Sequence, residues 1–256
     1  MRILITNDDG VYAPGLAALH AGLAAAHQVT VVAPETEQSA VGHAITLVNP
    51  IRVRRLGPRT GFAGWAVSGT PADCVKLAVN ELMPEPPELV ISGINLGGNV
   101  GVNVLYSGTV SAATEAAILG LPAMAVSLNT HREADFRYAA SVAARLAGEF
   151  FGLGLPAGVI LNVNVPPLGP EAVKGVVWTR QSNARLMEKF LRRTDPRDQV
   201  YYWQAGETMG EEGDLSTDYP ALLAGYVTLT PVRHDLTDHE SLAALRLKTL
   251  QLPGAD

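Results

Sequence analysis

At 256 residues the chain is long enough for one large α/β domain or two small ones. Hydrophobic residues make up 47%, Gly and Pro are frequent and aromatics few, which excludes a disordered chain and fits an α/β protein better than an all-β one. A net charge of −6 leaves no basic footprint for a DNA or RNA backbone, and the single cysteine, Cys74, excludes an intramolecular disulfide framework and favours a reducing compartment.

From the first residues, strand and helix patterns alternate at short intervals. Residues 3–6 read as a buried strand, 15–26 as a helix and 29–33 as the next strand. Asp8 and Asp9 interrupt any apolar run of signal-peptide type, and no later run is long enough to cross a bilayer. A cytoplasmic enzyme or binding protein is therefore expected. Two strand-like stretches follow at 51–56 and 65–68. Residues 71–82 read as a helix entered through Thr70, and 88–92 as another buried strand. A helix over 110–119 leads into a strand at 123–127, and a long helix is expected over 133–151. Apolar strands at β-α-β spacing point to a doubly wound, mainly parallel sheet between helical layers.

The second half is less regular. Residues 159–165 and 175–178 read as strands, and 180–215 turn polar and charged around a short aromatic run, Tyr201-Tyr202-Trp203. A solvated hairpin and a subunit contact both suit that segment. A short helix at 219–223, a strand at 226–230 and a final helix over 241–250 complete the chain. With no repeat and no low-complexity linker, the expectation is one domain over 1–256 with an elaborated arm at 180–215.

In a parallel α/β sheet, ligands bind beyond the carboxyl ends of the strands. Four loops leave expected strands or enter a helix at that edge. The first carries Asn7, Asp8 and Asp9; the second, "APETEQSAVGHA", carries Glu35, Glu37, Ser39 and His43; the third, "SGINLGGNVGVN", carries Asn95 and Asn99; the fourth is "YSGT", residues 106–109. Carboxylates, a hydroxyl and a side-chain amide are hard oxygen donors, suited to Mg²⁺ or Mn²⁺ rather than zinc. A divalent cation would also relieve the repulsion between the adjacent aspartates. The plain alternative for Asp-Asp-Gly is a turn. Ser107 and Thr109 are placed to cap a helix whose free N–H groups would attract phosphate, or simply to cap it. The glycine-rich third loop matches neither dinucleotide nor P-loop spacing. Thr70 and Pro71 read as a helix start, with Cys74 a buried thiol rather than a nucleophile.

Taken together, "ILITNDDGVYAPGL", "VVAPETEQSAVGHAITL", "SGTPADCVKLA", "SGINLGGNVGVNVLYSGTVSAATEA", "LNVNVP" and "TDYPALLAGYVTLTP" closely resemble the SurE family, the stationary-phase survival nucleotidases. The motifs run in family order from residue 3 to about 231. The resemblance implies a three-layer, Rossmann-like αβα fold and a metal-dependent phosphatase acting on nucleoside 5′- and 3′-monophosphates, with short polyphosphate as a further substrate. It implies Asp8, Asp9, Ser39 and Asn95 as metal ligands, with Asn99, Ser107, Gly108 and Thr109 holding the phosphate. It also implies a homodimer or homotetramer formed through the 180–215 arm.

Phosphomonoester hydrolysis by an attacking water is the leading reading, with Asp8 or Asp9 as base; the residues alone do not choose between them. A covalent aspartyl-phosphate route ranks below it, because the adjacent aspartates do not form the Asp-x-Asp pair that sets two carboxylates on one strand face. A nucleotide-binding stress regulator is the rival from outside enzymes. It would be marked by a lost metal position, whereas all four oxygen ligands are present.

Overall fold

The computed structural model describes residues 1–57, 60–130, 134–209 and 213–248. Its centre is a nine-stranded sheet. Strand β1 (Arg2–Thr6) pairs in parallel with β2 (Gln28–Pro34) on one side and with β5 (Leu89–Leu96) on the other. Outward from β2 lie β4 (Gly64–Val67), parallel, and the short edge strand β3 (Val53–Arg55), antiparallel. Outward from β5 lie β6 (Ala123–Leu128) and β7 (Val159–Val165), both parallel, then β11 (Val227–Arg233), antiparallel to β7, and β8 (Val176–Trp178).

The burial pattern shows why these segments become strands. Ile3, Leu4 and Ile5 are all fully buried, as a central parallel strand requires. Ile3 and Ile5 face one core and Leu4 the other. Each such side chain contributes roughly 1.5–3 kcal/mol on leaving water. One core is closed by α1 (Pro14–Leu23) and α4 (Arg137–Glu149), through Leu16, Leu19 and Leu23 and an alanine stripe at 139, 140, 143 and 147. These spacings place one apolar face against the sheet. On the other face lie α2 (Pro71–Leu77) and α3 (Gly108–Ile118), whose Cys74, Val75, Val110, Ala112, Ala113 and Ala116 pack beneath Leu4 and Val90. The three-layer αβα expectation is met.

Element boundaries shift in places. The helix expected over 71–82 ends as α2 and continues as a single π turn, Ala78–Leu82. Strand β5 runs on through a register shift at Gly93/Asn95 to Leu96, so Asn95 stands on the strand rather than in the loop after it. The long helix expected from 133 begins at Arg137, with residue 133 itself outside the described residues. Helix α5 (Asp218–Leu223) precedes β11, and α6 is His239–Leu245, with 249 and 250 outside the described residues.

The 180–215 segment forms a hairpin of β9 (Arg185–Thr194) and β10 (Val200–Met209), which pair only with each other. Among the described residues no helix is long and apolar enough to cross a membrane.

Candidate active site

The chain leaves β1 for β2 on one side and returns to β5 on the other, so the order of strands reverses between β1 and β5. In such sheets the crevice at that reversal, beyond the carboxyl ends, is where ligands bind. Asn7, Asp8 and Asp9 follow β1 directly. The Asn7 side chain donates to the Gly10 carbonyl at 3.0 Å, and Gly10 takes φ +96°, which closes the turn. Val11 N–H to the Pro34 carbonyl, 2.8 Å, fastens the turn to the end of β2.

Asp8 is 5% exposed. Its Oδ1 accepts the Thr109 hydroxyl, and the N–H groups of Gly108 and Thr109 also support the carboxylate. Burial still pushes the Asp8 carboxyl above its usual range. Asp9 is half-buried, and its Oδ2 accepts the Leu96 N–H at 3.3 Å. Burial, the adjacent Asp8 charge and Glu37 push it up to about 6, against that one opposing hydrogen bond. Among the described residues neither aspartate has an ion-pair partner.

The start of α3 meets Asp8 closely. Ser107 caps the helix by accepting the Val110 N–H at 3.1 Å. A Cβ on Gly108 would fall 2.7 Å from Asp8 Cβ and 2.9 Å from its Oδ2, so only glycine lets the helix come this near. Thr109 is not a cap; its hydroxyl goes to Asp8 instead. The helix end expected to be open toward a phosphate is thus already turned partly on an aspartate, which the helix dipole favours.

Ser39 lies on the irregular stretch 35–52. Gln38 N–H donates to the Asp8 carbonyl at 2.8 Å, which sets Ser39 beside the aspartates, while its hydroxyl donates to Glu37 Oε1 at 2.6 Å. Asn95 donates from Nδ2 to the Gly97 carbonyl at 2.7 Å. Asn99 is held on every side. Its N–H donates to Asn164 Oδ1 (2.7 Å), its Nδ2 to Ser127 Oγ (2.8 Å), and its carbonyl accepts from Asn162 and Asn164. The structure therefore brings Asp8, Gly108 and Thr109 into direct contact and places Asp9 against the strand that carries Asn95. Ser39, Asn95 and Asn99 bond to their own neighbours rather than to the aspartates.

Sequence reasoning missed the residues that hold these loops. Asn162 and Asn164 are fully buried in an otherwise apolar strand, and "LNVNV" was their signal. Glu115, 3% exposed on α3, accepts from Lys76 (2.9 Å) and pairs with His43 (2.7 Å), joining the 35–52 loop to two helices. Asp218, fully buried, accepts from Gly101 N–H and Ser182 N–H, both at 2.9 Å. Cys74 is fully buried, and desolvation raises its thiol far from reactivity.

The donor chemistry fits a hard divalent cation. Asp8 and Asp9 without counter-charge, and the hydroxyl and amide of Ser39 and Asn95 on adjoining segments, are hard oxygen donors at the edge where Thr6 Oγ1, Asn7 Oδ1 and Ser92 Oγ are buried without hydrogen-bond partners among the described residues. Among the described residues no group of three or more His, Cys, Asp or Glu is placed to hold a metal ion, so a cation here would draw on the Ser and Asn oxygens beside the two carboxylates.

Residues 3–188 match the family model described as "Survival protein SurE". The chain belongs to the SurE family. It is 53% identical over 245 residues to the 5′-nucleotidase SurE of Syntrophobacter fumaroxidans, covering 96% of this chain and 98% of that protein. The 5′-nucleotidase SurE of Syntrophus aciditrophicus is 52% identical, over 96% of this chain and 93% of its own length. The crystal structure of the SurE protein from Aquifex aeolicus superposes with a TM-score of 0.83 at 38% identity, over 96% of this chain and 99% of that one. The SurE fold thus spans nearly the whole chain, the β9–β10 hairpin included.

Proposed function

We propose that this SurE-family chain is a cytoplasmic, divalent-cation-dependent nucleotidase. It hydrolyses nucleoside 5′- and 3′-monophosphates to nucleoside and phosphate, with short polyphosphate as a further substrate. The observation that carries the reading is the pair of uncompensated aspartates at the strand-order reversal, set against the start of α3. The 5′-nucleotidase names of the relatives support the substrate class.

Asp8, Asp9, Ser39 and Asn95 would hold Mg²⁺ or Mn²⁺. A cation bound there supplies Lewis-acid charge at the phosphate oxygens. Ser107, Gly108 and Thr109 at the start of α3, with Asn99 on the loop after β5, would hold the phosphate. Thr109 fixes Asp8 by its hydroxyl, so that carboxylate keeps one orientation. Asp9 is the better base for the attacking water. Its Oδ1 takes no hydrogen bond among the described residues, whereas Asp8 is met by three donors from α3. The hairpin's exposed aromatics support assembly of two or four copies through β9 and β10.

Phosphate release from 5′- and 3′-nucleoside monophosphates is the test, with Mg²⁺, Mn²⁺ or EDTA, for wild type and Asp8→Ala. Turnover should require metal and vanish in the variant. Turnover indifferent to EDTA and to the substitution would leave "NDDG" as a mere turn and end the proposal.

A further inference from the structure

The loop between β5 and α3 carries Asn99 near one end and Ser107 at the other, and Gly97, Gly98 and Gly101 lie within its first five residues. Such a chain is costly to hold in one conformation. Both ends are fixed, Asn99 by Ser127, Asn162 and Asn164, and Ser107 by its cap on α3. The middle is fixed from far along the chain. Asp218, fully buried at the start of α5, accepts Gly101 N–H on Oδ2 at 2.9 Å. Its Oδ1 accepts Ser182 N–H at 2.9 Å and Tyr219 N–H at 2.8 Å. Gln181 Nε2 donates to the Gly101 carbonyl at 2.6 Å, and Val102 N–H donates to the Ala184 carbonyl at 2.7 Å. A Cβ on Gly101 would run into that Ala184 oxygen, so the two segments meet backbone to backbone.

We infer that Asp218 is a positioning residue for the phosphate: by holding Gly101 it sets the spacing between Asn99 and Ser107. The inference rests on the nucleotidase reading, in which those two residues hold the phosphate. Two observations set this role apart from ordinary support of the fold. The first is direction. Asp218 is the first residue of α5, yet one of its carboxylate oxygens goes to the loop, 117 residues away in the chain. The second is the choice of residue. A carboxylate has two acceptor oxygens, whereas an asparagine has one, and an NH2 that would face an N–H. Asparagine could serve Gly101 or the Ser182 and Tyr219 pair, not both. The buried charge is offset by these backbone donors, and such charge-assisted bonds are about twice as strong as neutral ones.

Asp218→Asn tests the assignment through two affinities of the full chain. Inorganic phosphate, as a competitive inhibitor of AMP hydrolysis at saturating Mn²⁺, should bind about tenfold more weakly. Mn²⁺ alone, titrated calorimetrically, should bind as it does to wild type, because Asp8, Asp9, Ser39 and Asn95 bond elsewhere. Equal losses of the two affinities, or an unchanged phosphate affinity, overturn the proposal. If Asp218→Asn does not fold, Gln181→Ala takes its place, since it removes one bond to the loop from an exposed side chain. Its phosphate affinity should fall about threefold, with the same two outcomes against the proposal. Amide hydrogen exchange separates the loop's support from the identity of the substrate. Gly101 and Val102 should exchange faster in Asp218→Asn, and unchanged exchange overturns the role of Asp218. A wild type that releases no phosphate from any nucleotide sinks the nucleotidase reading instead.

Discussion

Asp8 shows how much one position depends on its neighbours. It is buried, lacks a cation among the described side chains, and takes its support from the first turn of α3. Two substitutions separate steric access from hydrogen bonding there. Gly108→Ala places a methyl 2.7 Å from Asp8 Cβ, so either the helix or the aspartate must move. A shift of that kind at a reacting centre costs about 100-fold in kcat/KM, and nucleotidase assays of the purified variant should show a loss near that size. Thr109→Val preserves shape and removes the hydroxyl that Asp8 accepts. A buried carboxylate deprived of one donor costs about 1–3 kcal/mol, so calorimetry should show a melting point several degrees lower along with reduced turnover. An unchanged melting point would mean that Asp8 draws its support from the α3 backbone alone.

At the scale of elements, the stretch 35–52 has almost no regular structure, yet it is fastened along its length, at its ends to β4 and Ser68 and between them to the site and two helices. Gln38 bonds to Asp8, Gly42 N–H to the Tyr106 carbonyl (3.0 Å), His43 to Glu115, and Thr46 to Asp73, which also completes the capping box of α2. Glu115, like Asp73, is 3% exposed. The His43 and Lys76 hydrogen bonds hold its carboxyl below the usual range. A group whose folded pKa is depressed contributes stability above its unfolded value, about 4.3, and that contribution disappears as pH falls through the folded value. Glu115→Gln should therefore melt lower than wild type at pH 7, by about 1–3 kcal/mol of stability, and the gap should narrow steadily as pH is lowered below about 4.3. A gap that does not change with pH would show that packing, not charge, sets the role of Glu115. The same loop marks what was legible in the sequence. Buried strands such as Val159–Val165 announced themselves by unbroken apolar runs, and Thr70-Pro71 announced a helix start. Ser39 could be grouped with the aspartates because loops after parallel strands converge. The anchors could not be read, since His43, Glu115 and Lys76 lie 72 and 39 residues apart in pairs and no local pattern links them. For the same reason Thr109 looked like a cap: its partner is 101 residues away.

Viewed as a whole, the molecule has a long hairpin that its own cores do not stabilise. Strands β9 and β10 form a two-stranded ribbon, a structure marginal in water unless something packs on it. Cross-strand register divides its apolar side chains between two faces. Trp203 stands opposite Leu191 and beside Tyr201, their rings 6.4 Å apart in an edge-on arrangement, while Phe190 and Tyr202 occupy the reverse side. Trp203 and Phe190 are 63% and 61% exposed in the single chain, a surface that a lone ribbon gains nothing by displaying. If a second copy covers it, the two faces need not matter equally. Sedimentation velocity on Trp203→Glu and Phe190→Glu distinguishes them: the face buried in the assembly should lose about 2 kcal/mol or more of association energy, a dissociation constant about thirtyfold weaker. The other substitution should leave the sedimentation coefficient unchanged. Loss through both would mean that the ribbon is enclosed, as an exchanged arm would be. A wild-type chain that sediments as a monomer at micromolar concentration would remove the second copy altogether. The aspartate site lies on the main sheet, and β9 reaches its surroundings through the 101–105 turn between Asn99 and Ser107, so a dissociated variant that still binds metal with wild-type affinity would show that assembly and site are independent.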